Sequence, residues 1–245
     1  MPDATDTGND PASGGDSADL AALPPLPDLN ELAAAVPCSG LSVERRAGGT
    51  ARVTGYVGSA TDLDRLRANL ADVRGVEAID TTAVEFAPPP LCATLGTLDL
   101  WGPSEGPGVD LSKPGGEYRP GEFLQVSIRP KLSRGFLHVA FIDSDKRLVV
   151  HLLPNPARPY ATSEAGQPVH IGAPNASGAT GERVYELTTP YGRNMILAVE
   201  STFPIFPRQR PEIESLQEFL EALLLRRDLA GGAMRFSFRF IDIVR

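Results

Sequence analysis

Ahead of the first alternating stretch, the run Leu29 to Val36 follows directly on Asp28 and ends at Pro37. Asp is a favoured N-cap, and the residue before proline avoids helical backbone, so a short helix is predicted. A period of two follows. Leu41–Arg45 and Ala51–Val57 alternate around Ala47-Gly48-Gly49, a hairpin pattern. Leu63, Leu66, Leu70 and Val73 stand at helical spacing behind a capping-box-like Thr61 and Asp64, and Gly75 ends that helix. Val76–Phe86 supplies one more strand, which completes the order α-β-β-α-β.

Pro88-Pro89-Pro90 reads as a stiff passage to a second region, and Gly102–Gly116 as a loop. Beyond Tyr118 alternation dominates. Glu122–Arg129, Gly135–Ile142, Arg147–Leu153, Glu182–Leu187 and Asn194–Ser201 are predicted strands. Asp143-Ser144-Asp145-Lys146 turns one hairpin, and Pro190-Tyr191-Gly192 separates the last two strands. Residues 154–181 form a long polar loop. Leu216, Phe219, Leu220, Leu223 and Leu224 make a helical stripe between Pro211 and Arg227. Met234, Phe236, Phe238 and Phe240 alternate in a final strand, expected to pair centrally.

The predicted fold class is α+β: a small αββαβ domain followed by an antiparallel β-sandwich with one packed helix. The expected division is a disordered acidic linker at 1–25, a disulfide-stapled domain at 26–95 and a β-sandwich recognition domain at 96–245. The linker assignment follows from its Asp, Gly, Ser and Pro content and its want of large apolar residues before Leu20.

Composition changes this picture little. The 245 residues are 42% hydrophobic and 22% charged, ordinary for a globular protein. The net charge of -8 is concentrated: Asp3, Asp6, Asp10, Asp16, Asp19 and Asp28 fall in residues 1–30, which hold no Lys or Arg. The remainder is close to neutral and lacks the basic surplus that a phosphate backbone demands, so nucleic acid is not an expected partner. No apolar run reaches the roughly 18 residues of a membrane span. The start, Met1 to Asp6, has neither the basic region nor the apolar core of a secretory signal.

Cys38 and Cys92, the only cysteines, stand at the two ends of the αββαβ segment. A disulfide between them is the expectation, tying the start of the first strand to the end of the last. It implies an oxidising compartment. The chain is then expected to be a piece of a longer exported or membrane-anchored protein, periplasmic, with an upstream membrane-anchored domain in the same polypeptide. The alternative is a cytosolic protein with two unpaired, buried cysteines.

Two stretches resemble known families. Val53-Thr54-Gly55-Tyr56-Val57-Gly58-Ser59 before a helix, with Gly75-Val76 after it, resembles the BON domain of bacterial envelope proteins over roughly residues 26–92. That resemblance implies an envelope or phospholipid-interaction module without catalysis. The cysteine pair lies outside the general BON pattern and implies a divergent, disulfide-stapled relative. The second stretch runs from Tyr118-Arg119-Pro120-Gly121-Glu122 through Gly135-Phe136-Leu137-His138-Val139, Asp143-Ser144-Asp145 and Leu152-Leu153-Pro154-Asn155. It closes on Pro190-Tyr191-Gly192 and Ala198-Val199-Glu200-Ser201. Over roughly residues 110–205 it is similar to a bacterial domain-of-unknown-function family attached behind serine/threonine kinase or caspase-like peptidase modules. Lys146, where a turn glycine is common, and the added helix depart from that pattern. The resemblance implies a non-catalytic sensing or docking module.

Catalytic chemistry finds little purchase. His138, His151 and His170 are the only histidines, and neither cysteine sits in a nucleophile motif. His138 and His151 fall on adjacent strands of a hairpin and read as polar positions on a half-solvated sheet. Zinc requires three or four close ligands, and two histidines with Asp143 or Asp145 do not have a known ligand spacing. Asp143-x-Asp145 lacks the glycine and terminal glutamate of a calcium loop and reads as a turn. Phosphate-loop motifs are absent. The suggestive surface is Thr202–Pro211, where Phe203, Ile205 and Phe206 lie among prolines and precede Arg208 and Arg210. One reading tucks the three apolar residues under the C-terminal helix; the other makes the loop a docking site with aromatic anchors and an arginine rim. The expected function is a non-catalytic extracytoplasmic binding or sensor region of a bacterial envelope protein, of the kind carried by membrane-anchored serine/threonine kinases linked to a secretion system. The alternative is an accessory substrate-positioning domain of a caspase-like or other hydrolase. The expected partner is another envelope protein or a small ligand, with no cofactor.

Overall fold

Asp28 accepts a hydrogen bond from the Asn30 N–H at 2.9 Å and opens helix α1 (Leu29–Ala34). Strands β1 (Ser39–Arg45) and β2 (Thr50–Val57) pair antiparallel, with Val43 opposite Val53. Helix α2 (Ala60–Ala71) follows, and its Leu66 and Leu70 bury against Val43, Ala51 and Val53. Its cap is Ser59, which accepts from the Asp62 N–H at 3.2 Å, and not the expected Thr61. The extended backbone of β2 ends just before Ser59, so the helix starts that much earlier. Strand β3 (Ala78–Phe86) returns parallel to β2, as a helical crossover allows, giving the order β1-β2-β3.

The computed structural model describes residues 28–101, 105–159, 161–175, 183–231 and 233–245. The expected linker at 1–25, the first residues of the Gly/Pro-rich loop and part of the long polar loop lie outside the described residues.

The triple proline does not form a stiff linker. Pro89 and Pro90 occupy the first turn of a helix, α3 (Pro89–Thr97). First-turn N–H groups have no intrahelical partner, so proline costs nothing there and its fixed φ suits the helix. Leu91, Cys92 and Leu95 are then fully buried. A disulfide joins Cys92 to Cys38, with the Cα atoms 5.7 Å apart. It therefore ties the entry to β1 to α3, beyond the end of the last strand of the small sheet.

The remainder is a two-sheet sandwich with helices against its outer face. Its small sheet holds β4 (Gly108–Leu111), β6 (Val126–Arg129) and β10 (Val169–Ile171) in the order β10-β6-β4. The large sheet contains β5 (Glu117–Tyr118), β7 (Gly135–Asp143), β8 (Leu148–Leu153), β11 (Gly192–Ser201), β12 (Ile213–Ser215) and β13 (Met234–Ile243). Their order is β12-β8-β7-β11-β13-β5, and β9 (Thr162–Ser163) pairs with the start of β7. Leu137, Val139, Phe141, Ile196, Ala198 and Ile241 face the small sheet's Val126, Ile128 and Ile171 in one core. Ala140, Ile142, Met195, Leu197 and Val199 alternate onto the other face, where helix α4 (Leu216–Ala230) covers them with Phe219 and Leu223. A full capping box between Ser215 and Glu218 starts α4.

Two expected strands differ. The Glu122–Arg129 strand shortens to β6, and the segment up to Leu187 makes only an isolated bridge between Phe123 and Glu186. Leu124 N–H to the Tyr185 carbonyl and Leu187 N–H to the Glu122 carbonyl, both 2.8 Å, hold these segments beside the sheet without extending it. The final strand β13 lies between β11 and the two-residue β5, so it is internal but next to the sheet's end.

The two parts share a core. Tyr56 and Ala87 and the α3 residues Leu91 and Leu95 belong to the same buried cluster as Met195, Leu197, Phe236 and Phe240. Tyr56 packs edge-on against Phe238 with ring centres 5.7 Å apart, and its hydroxyl donates to the Leu100 carbonyl at 2.8 Å. Arg193 donates to both carboxylate oxygens of Asp242 and, at 2.8 Å, to the Phe86 carbonyl. The division expected between residues 95 and 96 falls inside α3.

Candidate binding site

After β11 the chain runs through Pro204, Pro207 and Pro211 before reaching β12. Proline has no N–H to offer a ladder, so the segment continues as a loop. It is pinned from behind by α4. Arg226 donates from Nε to the Ile205 carbonyl at 2.7 Å and from Nη2 to the Pro204 carbonyl at 3.1 Å. The same guanidinium lies over the Phe203 ring. Ile205 is buried under the helix, Phe203 and Phe206 are half-buried, and Arg208 is exposed. Arg210 turns inward, over the Phe206 ring, and donates to both oxygens of Glu214, at 2.9 Å from Nε. Of the residues expected to dock a partner, Ile205 and Phe203 thus pack the loop onto the helix. Phe206 and Arg208 remain available, and the expected arginine rim narrows to Arg208.

Glu214 connects the loop to a buried pair of histidines. Its Oε1 lies 2.7 Å from His151 Nε2, and His151 Nδ1 lies 2.9 Å from His138 Nε2. Alternation along β7 and β8 places both imidazoles on the α4 side of the sheet, against Phe219 and Phe206. Each histidine is only 2% exposed, so the expected half-solvated surface is a closed one. The sheet face is covered because α4 and the proline-rich loop both pack onto it. Burial holds His138 well below the ordinary histidine value, with the neighbouring His151 and Arg210 adding to the effect. Burial also lowers His151, although the hydrogen bond and charge of Glu214 work in the opposite direction. Both imidazoles are neutral near pH 7. With Glu214 acting as acceptor for Arg210, His151 donates from Nε2 to Glu214 and accepts at Nδ1 from His138 Nε2–H. Among the described residues the remaining lone pair of the array, on His138 Nδ1, meets no donor.

His138 also lines a solvent-open cavity of about 310 Å³, walled by Phe136, Pro154, Pro159 and Ala161 on one side and Pro204–Arg210 on the other. Its described lining is apolar apart from His138, Arg208, Gln209 and Arg210, with no Ser, Thr, Cys, Lys, Asp or Glu. The histidine pair therefore adjoins a cavity whose described lining carries two arginines but no Ser, Thr, Cys or Lys nucleophile. Phe136 also lines a broader cleft of about 820 Å³ between β9 and β10, with Arg134, Arg158, Glu164 and His170. There Arg134 pairs with Glu164 at 3.6 Å, and Arg158 donates to the His170 carbonyl at 2.9 Å.

Asp143 accepts from the Asp145 and Lys146 N–H groups, at 3.1 and 2.9 Å, and makes the expected turn. His170 sits on β10, on the cleft and apart from the histidine pair. Among the described residues no group of three or more His, Cys, Asp or Glu is placed to hold a metal ion. Sequence reasoning missed Glu200, a fully buried carboxylate at the end of β11. It accepts from the Lys131 and Leu132 N–H groups at 3.0 and 3.1 Å and from Ser163 Oγ at 3.3 Å. It also missed the part played by Glu214, whose only signal was its place beside the capping Ser215.

Residues 117–204 match the family model described as Domain of unknown function (DUF4384). This supports the resemblance expected over the second half of the chain. No curated protein and no solved structure matches the chain.

Proposed function

We propose that this chain is a non-catalytic recognition module of a bacterial envelope protein, and that its cavity beneath the 202–211 loop takes an apolar segment of a partner protein bearing a carboxylate. The observation that carries the reading is the construction of that cavity. Its proline and aromatic wall is clamped from behind by Arg226 and Arg210, and exposed Arg208 stands at its rim. A clamped wall loses little entropy on binding, which favours recognition. At about 310 Å³ the cavity is at the small end of ligand sites and suits one or two side chains better than a cofactor. Phe136, common to cavity and cleft, gives an extended segment a route from one to the other.

The Cys38–Cys92 bridge supports an extracytoplasmic, periplasmic setting, because such bonds persist in oxidising compartments. The order α1-β1-β2-α2-β3 supports reading the first part as BON-like. The domain resemblance over the second part supports a sensor role beside a membrane-anchored serine/threonine kinase. Among the described residues no helix is long and apolar enough to cross a membrane. A random-peptide display selection on the oxidised protein tests the docking site. Enriched peptides are expected to place Leu or an aromatic residue beside Asp or Glu. They should bind Arg208→Glu at least about tenfold more weakly, with its melting temperature unchanged. Selected peptides that bind the variant equally well would remove the cavity from consideration.

A further inference from the structure

We propose a second ligand site, for a quaternary ammonium group, where the two parts of the chain meet. It shares no lining residue with the cavity of the 202–211 loop and does not depend on that reading. Here Tyr56 of β2, Phe238 of β13 and Trp101, just beyond α3, line a cavity of about 240 Å³ together with Glu85 of β3. Tyr56 and Phe238 meet edge to face, at 80° with ring centres 5.7 Å apart, and both line the cavity. Trp101 remains 40% exposed, an open wall facing solvent.

The backbone makes room for these rings. A Cβ on Gly40 would lie 2.5 Å from the Tyr56 ring, and one on Gly96 would lie 2.8 Å from the Trp101 ring. A Cβ on Gly55, at φ 112°, would collide with the Gly40 carbonyl. Both rings therefore rest on bare glycine backbone, and Gly55 lets β1 and β2 approach closely beside the cavity. The Tyr56 hydroxyl is engaged by the carbonyl of Leu100, the residue before Trp101, which ties one aromatic wall to the segment carrying the other.

The charge is suited to a cation. Glu85 is exposed and lies opposite Tyr56 in the β2–β3 register, on the cavity side. The nearby cation, Arg193, is held by both oxygens of Asp242. Taken with that pair, Glu85 leaves one net negative charge beside three aromatic rings. Aromatic faces attract cations through their quadrupole, and a quaternary ammonium has no N–H groups to be left unsatisfied in a mostly apolar cavity.

Trp101 is the only tryptophan, so selectively excited tryptophan fluorescence reports on this site alone. The test is a titration of the oxidised chain with choline chloride against 3,3-dimethylbutan-1-ol, its uncharged carbon isostere, over a sodium chloride baseline. A saturable change with choline is expected, with the isostere about tenfold weaker or worse. Glu85→Gln, an exposed and nearly isosteric change, should weaken choline by about two- to fivefold. No saturable change, equal affinity for the isostere, or an unaltered choline affinity in Glu85→Gln would each overturn the assignment. Competition then identifies the source. Phosphatidylcholine vesicles displacing choline indicate a lipid headgroup, a trimethyl-lysine peptide indicates a methylated protein, and displacement by neither indicates a free solute.

Discussion

A neutral imidazole pair 2.9 Å apart inside a sheet is tolerable only while it stays neutral. His138 and His151 both sit below the ordinary histidine value in the folded chain, mainly through burial. In the unfolded chain they titrate at about pH 6.5. As pH falls through that value the unfolded chain takes up protons that the folded pair refuses, so stability falls with pH. The loss approaches about 1.4 kcal/mol per pH unit for each histidine until the folded pair itself protonates. Above about pH 7.5 the pair contributes no dependence. Urea unfolding from pH 7.5 to 5 should show this decline, and His138→Gln should flatten it; an equal slope in the variant would assign the acid sensitivity to other groups. Period two along β7 puts His138 on the same face as Ala140 and Ile142. That this face is closed follows from α4 and the proline loop, whose approach leaves no mark in the local pattern.

At the scale of elements, periods, turns and the Asp28 cap were legible, while the α2 cap and the partners of each element were not. Asp28, the helical stripe of Leu63, Leu66 and Leu70, and the Asp143–Lys146 turn all appear where local chemistry puts them. Pro88-Pro89-Pro90 reads as a linker because proline punctuates linkers, yet it also opens helices, and only the burial of Leu91, Cys92 and Leu95 decides between the two. The Cys38–Cys92 bridge closes a loop spanning 54 positions and anchors α3 to β1. In the chain-entropy description such a loop stabilises by about 4 kcal/mol. Intact-mass thiol labelling of denatured, unreduced protein should find no free thiol, and reduction should lower the unfolding midpoint substantially. Two labelled thiols would remove the support for an extracytoplasmic setting.

For the whole molecule, the shared cluster through α3 makes the two parts interdependent. Leu95 is fully buried within it. Leu95→Ala should cost about 2–5 kcal/mol. Because the cluster is common, far-ultraviolet circular dichroism and Trp101 fluorescence should report one coincident unfolding transition in both wild type and variant. Separate transitions would show that the αββαβ part and the sandwich unfold independently. The sequence by itself determined the α+β class, most elements and the loop that walls the first cavity. These depend on period, capping and turn chemistry within a few residues of each position. The burial of His138 and His151, the inward turn of Arg210 onto Glu214, the helix made by the prolines and the meeting of Tyr56, Trp101 and Phe238 were decided by tertiary structure alone. Each depends on which distant segment covers a face, and burial is a relation between segments that no local pattern contains.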